Sequence, residues 1–258
     1  MTSRLCTKDL TLSYGRKTVL DGITLEIPDA QITAIVGPNA CGKSTLLRCL
    51  ARLMKPKKGK VLLDGKPIHR VNTKAVAQTI SLLPQSAETP PGMRVVDLVA
   101  RGRTPHQSPL QQWSKADQES VDSALTRVGL SDQANALLSE ISGGQRQRAW
   151  IAMVLAQDTE ILLLDEPTTF LDLNYQIETL KLVQDLQEQK HLTVVMVLHD
   201  INLAARFAAN IIALREGGIV VQGAPETVVT EANIKAIYDL SAKVVASPVT
   251  QAPYVIAL

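Results

Sequence analysis

Aromatic residues are scarce in this sequence, and several features that mark particular protein classes are missing. Phe, Trp and Tyr make up 3% of the 258 residues while 45% are hydrophobic, which predicts a sizeable core built from aliphatic side chains. No apolar run approaches the roughly 18 residues that span a bilayer, and the mixed, polar N-terminus is unlike a signal peptide. We therefore expect a chain that is soluble by itself.

Charge and cysteine content argue against two further classes. The net charge is +2, and the basic residues are spread along the chain, so there is no basic stripe of the kind that binds nucleic acid. The three cysteines, Cys6, Cys41 and Cys49, have neither disulfide nor zinc spacing, which fits a reducing cytoplasm. We expect no nucleic-acid partner.

A glycine-rich turn at residues 37–44, here called the first glycine turn, carries the strongest chemical signal. It matches the pattern G-x-x-x-x-G-K-[ST], follows the apolar run Ile32–Val36 and precedes a predicted helix. Its glycines let backbone N–H groups point inward at a helix N-terminus, which favours triphosphate. Lys43 suits the β- and γ-phosphates, Ser44 suits Mg²⁺, and Thr45 suits the α-phosphate. The predicted nucleotide-binding residues here are Gly37, Pro38, Asn39, Ala40, Cys41, Gly42, Lys43, Ser44 and Thr45.

Residues 142–145, here called the second glycine turn, lie about a hundred residues downstream. Ser142 is a natural N-cap for a helix that begins near Gln145. Gly143 and Gly144 leave room for an anion to approach the first N–H groups of that helix. Such a turn also occurs as an ordinary loop and cap, but its neighbours favour a second phosphate site.

Two carboxylates follow the aliphatic run 161–164, which is typical of a buried strand. Strand C-termini line the ligand crevice of an open α/β sheet, which places Asp165 and Glu166 beside the first glycine turn. Asp165 can hold Mg²⁺ through water, and Glu166 can polarise the water that attacks the γ-phosphate. His199 leaves another apolar run at the same edge, where a lone histidine is usually structural.

The order of apolar patterns predicts the fold class. The first thirty residues alternate as antiparallel strands do, and Gln85 lies at the exit of a later strand. The character then changes to proline-punctuated loop and helical patterning before strands and helices alternate again. We expect one α/β domain with a mainly parallel P-loop core (1–85 and 157–225), an N-terminal antiparallel β subdomain, a helical insertion (86–156) and a helical tail (226–258).

These residues resemble the ATP-binding cassette family of transporter ATPases over essentially the whole chain. The first glycine turn, residues 141–148, which are similar to the family's LSGGQ signature, and residues 161–167 carry the resemblance. The roles that it implies are adenine stacking for Tyr14, sensing of Mg²⁺ and water for Gln85, dimer communication for Leu171 and Asp172, and contact with the γ-phosphate for His199.

The chain carries two phosphate sites but one set of catalytic groups. The resemblance implies that two copies pack head to tail, so that the second glycine turn of each closes on the ATP held by the other. It also implies Mg²⁺ as cofactor and integral membrane permease subunits as partners. A periplasmic or surface substrate-binding protein would be an indirect partner, and the chain would lie on the cytoplasmic face of a bacterial inner membrane.

Within the family, residues 101–106, 147–156 and 166–172 resemble the ATPase subunits of iron(III)-siderophore importers. This implies ATP hydrolysis coupled to uptake of an iron chelate. Vitamin B12 and haem importers are close alternatives. The rival class is a soluble cassette ATPase acting on ribosomes or DNA, or a nucleotide-gated interaction module that hydrolyses slowly. Soluble cassette ATPases usually carry two cassettes or long coiled-coil insertions.

Two positions depart from the family's usual pattern, and one cysteine invites a hypothesis. Ala40 stands where the family usually has Gly, and Ile141 where it usually has Leu. If position 40 requires a positive φ, alanine costs roughly 1 kcal/mol. Cys41 lies inside the predicted phosphate nest, where N–H dipoles and Lys43 could lower its pKa and make it reactive; the alternative is a small filler residue.

Overall fold

Strands and helices alternate along most of the chain. The computed structural model describes residues 3–85, 91–108, 113–169 and 171–258. The strands are β1 (Leu5–Tyr14), β2 (Lys17–Ile27), β3 (Ile32–Val36), β4 (Lys58–Leu63), β5 (Lys66–Pro67), β6 (Ile80–Leu83), β7 (Ile161–Asp165), β8 (Thr193–Val197), β9 (Asn210–Arg215), β10 (Gly218–Gly223), β11 (Ala242–Ala246) and β12 (Pro253–Ala257). The helices are α1 (Lys43–Leu50), α2 (Thr73–Thr79), α3 (Val95–Arg101), α4 (Lys115–Arg127), α5 (Gly143–Ala156), α6 (Leu173–Lys190), α7 (Ile201–Phe207), α8 (Pro225–Val228) and α9 (Glu231–Tyr238).

A mostly parallel central sheet has the strand order β10-β9-β3-β8-β7-β6. Its strands pair in parallel from β6 to β9, and only β10 pairs antiparallel, with β9. Every residue of β3, β7 and β8 is buried, because both faces of this sheet are covered. The predicted parallel core is confirmed, and the carboxyl ends of β3 and β7 carry the first glycine turn and the two carboxylates.

An antiparallel sheet of order β2-β1-β4-β5 covers one side of the core, as predicted. The pairing of β1 with β2 contains register shifts between Thr7 and Leu10 and again near Leu12, which bend the sheet. Its apolar face forms one core cluster together with residues of α1 such as Leu46 and Leu50. This packing fixes the helix that begins at the first glycine turn.

Helices α3, α4 and α5 form the helical insertion. Part of its predicted proline-punctuated entry, residues 86–90, lies outside the described residues. The Arg103 guanidinium pairs with Asp117 through Nε and Oδ1, 2.8 Å apart, and both side chains are buried. Arg103 Nη1 also donates to the carbonyl oxygen of Ala156 at 2.8 Å. Residues 101–106 thus join the ends of the three helices.

The C-terminal segment departs from the predicted helical tail. Helix α9 is present, but β11 and β12 follow it as an antiparallel hairpin. The β-branched pair Val244 and Val255 lies cross-strand. Asn202 of α7 donates to the Val255 carbonyl oxygen and accepts from its N–H, which holds β12 to the core. No helix in the described ranges has both the length and the apolar character needed to cross a membrane.

Candidate nucleotide site

A cleft of about 540 Å³ opens beside the first glycine turn. The residues around it that the sequence predicts are Tyr14, Asn39, Ala40, Gly42, Lys43, Ser44, Thr45, Glu166 and His199. Lys17, Thr18 and Val19, at the start of β2, also line the cleft, and no sequence motif singles them out. Tyr14 lies at its rim and is 53% exposed.

The glycines of the first glycine turn are required by its geometry. Gly37 and Gly42 have φ values of 142° and 109°. A Cβ atom at position 37 would lie 2.1 Å from the carbonyl oxygen of Leu214, and one at position 42 would lie 2.5 Å from Leu20 Cδ2. The backbone therefore curls against β9 and β2 as closely as glycine allows.

Lys43 is 5% exposed and lies over the first glycine turn. Its Nζ donates to the carbonyl oxygens of Gly37 at 2.9 Å and Pro38 at 2.8 Å. The ammonium is thus held against the backbone of the first glycine turn.

Ala40 adopts the left-handed conformation, with φ at 61°. Position 40 therefore has the positive φ that favours glycine, and alanine there costs about 1 kcal/mol of backbone strain.

The hydroxyl of Ser44 donates to Asp165 Oδ1 at 2.7 Å. Ser44 is the second residue of α1 and Asp165 ends β7, so this bond joins the first glycine turn to the neighbouring strand. Asp165 is 2% exposed, and burial raises its pKa although the bond from Ser44 acts in the opposite direction.

Three side chains in the described part of the chain donate to the carboxylate of Glu166. Gln85 Nε2 lies 2.6 Å from Oε2, Thr169 Oγ1 lies 3.0 Å from the same oxygen, and His199 Nε2 lies 2.8 Å from Oε1. Burial alone would raise the pKa of Glu166, but the hydrogen bonds from His199, Thr169 and Gln85 outweigh it and the pKa is lowered. His199 therefore belongs to the site by direct contact.

Thr169 is a further site residue that sequence reasoning missed. It lies three residues after Glu166, in the loop that joins β7 to α6. The only signal in the sequence is a hydroxyl one turn beyond a carboxylate, and that spacing is common in loops without any function.

Cys41 does not have the environment of a reactive thiol. It is 6% exposed, and burial raises its pKa more than Lys43 and the backbone N–H groups lower it. A Cβ atom placed on Gly37 would lie 3.1 Å from Cys41 Sγ, so the thiol fills space behind the turn. The structure favours the filler interpretation and opposes the hypothesis of a lowered pKa.

The second glycine turn forms the predicted helix cap. Ser142 Oγ accepts from the N–H of Gln145 at 3.2 Å, and Gln145 Oε1 accepts from the N–H of Ser142 at 2.9 Å, which makes a capping box. Ser142 and Gly143 are exposed, whereas Gly144 is buried against the ring of Tyr175. These residues do not line the cleft at the first glycine turn.

Asp172 caps the N-terminus of α6, where its Oδ1 accepts from the N–H of Tyr175 at 3.1 Å. Gly144 of the second glycine turn abuts the ring of Tyr175 on the same helix.

Comparison with known proteins agrees with this arrangement. The sequence model of the ABC transporter family matches residues 20–169. The chain belongs to this family. The ferric enterobactin transport ATP-binding protein FepC of Escherichia coli is 52% identical over 256 residues, covering 99% of this chain and 94% of the relative. The petrobactin import ATP-binding protein FpuD of Bacillus anthracis is 49% identical, covering 98% and 93%.

Solved ABC transporter structures share the fold. A metal-chelate type ABC transporter in an inward-facing conformation matches with a TM-score of 0.86 at 27% identity and covers 100% of this chain and 98% of that one. The dimeric ABC transporter cassette MJ0796 matches with a TM-score of 0.75 at 28% identity, covering 85% and 98%. The predicted family, its ATPase class and the P-loop fold are confirmed.

Proposed function

We propose that this chain is the ATP-hydrolysing subunit of an importer that takes up an iron(III)-siderophore or a similar iron chelate. The observation that carries the hydrolytic part is the Glu166 carboxylate, which Gln85, His199 and Thr169 hold beside the first glycine turn. The names of relatives at 52% and 49% identity over nearly the whole chain support the substrate class.

The first glycine turn binds the phosphates of ATP through its backbone N–H groups, the dipole of α1 and Lys43. Ser44 and Asp165 offer a hydroxyl and a carboxylate oxygen 2.7 Å apart, the hard oxygen ligands that Mg²⁺ prefers. A magnesium ion held there would neutralise charge on the β- and γ-phosphates. Gln85, at the exit of β6, is the residue proposed to sense that ion and the attacking water.

Glu166 accepts the proton of the attacking water. Its lowered pKa keeps it ionised at neutral pH, which a general base requires. In the described part of the chain Oε1 accepts from His199 alone, so this oxygen, which has two lone pairs, can also accept from the attacking water. His199 is the donor proposed to contact the γ-phosphate, because its side chain is 45% exposed.

The second glycine turn serves the ATP of a second copy. Ser142 and Gly143 are exposed at the N-terminus of α5, outside the cleft of their own chain. Two chains packed head to tail would place these N–H groups on the γ-phosphate held by the partner, so ATP would close the dimer and hydrolysis would open it. The similarity to a dimeric cassette supports this arrangement.

The dimer works with integral permease subunits on the cytoplasmic face of the inner membrane and is linked through them to an external substrate-binding protein. Purification of the tagged chain from detergent extracts is expected to bring down a polytopic membrane protein. Co-sedimentation with ribosomes or DNA and no membrane partner would contradict the proposal.

Uptake of a labelled ferric siderophore should be lost in cells that lack the chain. It should return with the wild-type chain and stay absent with Glu166→Gln. Parallel uptake of labelled vitamin B12 and haem separates the substrate classes, and siderophore uptake that is unchanged by the deletion would contradict the assignment.

A further inference from the structure

One face of α5 is attached to the loop that carries the catalytic carboxylate. Gln147 lies one turn after the second glycine turn, and its Nε2 donates to the carbonyl oxygen of Pro167 at 2.9 Å. Gly144 lies three residues before Gln147 and four before Arg148, and these spacings place it beside both on this side of the helix. Gly144 abuts Tyr175, and Arg148 Nη1 lies 4.0 Å from Glu178 Oε2.

Pro167 is bonded directly to Glu166, whose backbone is strained. Glu166 has a φ of 54°, a left-handed conformation that is unfavourable for a non-glycine residue. Such a conformation persists only where surrounding contacts hold it in place. The hydrogen bond from Gln147 is one of those contacts, and it comes from the helix that begins at Ser142.

We propose that Gln147 is a positioning residue that ties Glu166 to the second glycine turn of the same chain. The inference rests on the proposed function, in which the second glycine turn grips the ATP of the partner copy. When α5 engages that ATP, the Gln147 bond transmits the position of the helix to Pro167 and sets the direction of the Glu166 carboxylate. Each ATP bound by the dimer therefore aligns the base that acts on the other.

The test is steady-state ATP hydrolysis by the full-length chain with Gln147→Met, which keeps side-chain length and removes the donor. Misplacement of a base by a fraction of an ångström is expected to lower kcat by about tenfold or more. KM should stay within about twofold, because the groups that bind ATP are untouched. The Hill coefficient for ATP should fall from near 2 towards 1.

Gln187→Met is the matched control. Gln187 also donates its side-chain amide to a backbone carbonyl, that of Ala30 at 2.7 Å, but far from the cleft. The Gln187→Met variant should lose a similar hydrogen bond and keep the wild-type kcat, KM and Hill coefficient. Gln147→Glu, which keeps the shape but replaces the donor with an acceptor, should reproduce the losses of Gln147→Met.

Two failures are distinguishable. Normal wild-type turnover together with unchanged kcat and Hill coefficient in both Gln147 variants would overturn this inference alone. Equal losses in Gln147→Met and Gln187→Met would also overturn it, since they would reflect general destabilisation. A wild-type chain that hydrolyses no ATP would overturn the proposed function and the inference with it.

Discussion

Asp165 and Glu166 are adjacent carboxylates whose environments move their pKa values in opposite directions. Burial dominates at Asp165 and raises its pKa, whereas three donors overcome burial at Glu166 and lower it. Neighbouring groups with opposite shifts commonly have different chemical roles. Here Asp165 is bonded to Ser44 and Glu166 faces the cleft, which fits a metal ligand and a base respectively.

Glu166→Gln tests the role of the base. The amide fills the same volume but cannot accept a proton, so turnover should fall by about 100-fold or more. ATP affinity should change by less than about threefold, because the phosphate-binding groups remain. Turnover by phosphate release and affinity by calorimetry are the measurements. Glu226→Gln, at an exposed position in α8, is the control, and wild-type turnover in Glu166→Gln would exclude Glu166 as the base.

Ala40→Gly tests the backbone strain in the first glycine turn. Glycine relieves the left-handed strain at φ 61° but adds entropy to the unfolded chain, so stability should stay equal or rise by up to about 1 kcal/mol. Ala149→Gly, inside α5, should instead cost about 1 kcal/mol or more. Urea unfolding measures the stability of both variants. A clear loss of stability in Ala40→Gly would show that Ala40 does not carry backbone strain.

At the scale of secondary structure, patterns with a strong period could be predicted and short docked elements could not. The apolar runs that became β3, β7 and β8 are continuous because both faces of the central sheet are covered. The hairpin of β11 and β12 was missed because part of its stabilisation comes from Asn202 of α7, a tertiary contact that local periodicity does not encode.

The buried pair in the helical insertion leads to a pH-dependent prediction. Burial alone would raise the pKa of Asp117, but Arg103 and Ser114 outweigh burial and lower it. Asp117→Asn leaves the Arg103 charge buried and unpaired, which should cost about 3 kcal/mol at pH 7. Because the pKa of Asp117 is lowered in the folded state, its carboxylate stabilises the fold at pH values above the ordinary pKa of 3.8. This contribution to stability is lost as the pH falls through the folded-state pKa.

The stability gap between wild type and Asp117→Asn should therefore narrow below pH 3.8. Urea unfolding at neutral and acidic pH measures this difference in stability. Glu119→Gln, which removes the exposed pair with Lys115, should cost less than about 1 kcal/mol throughout. A difference in stability that stays constant down to acidic pH would show that the charge of Asp117 does not stabilise the contact with Arg103.

At the scale of the molecule, the sequence predicted the parts of the nucleotide site better than their connections. The spacing of the first glycine turn, and the apolar strands before it and before Asp165 and Glu166, are enough to recognise these residues in the sequence. Thr169 and Gln147 carry no such signal, since their contacts with Glu166 and Pro167 arise only when the loop after β7 packs on α5.

The two glycine turns belong to different ATP sites in this account, and dimer formation by Glu166→Gln tests that claim most directly. Light scattering coupled to size exclusion should give 28.0 kDa without nucleotide and twice that mass with saturating MgATP. Gly143→Arg in the same background is the control: an added Cβ at 143 meets nothing within 4 Å among the described residues, but the side chain would block the partner's ATP. The account predicts that this double variant binds ATP and stays monomeric. A monomeric mass for Glu166→Gln with ATP bound would contradict the shared site.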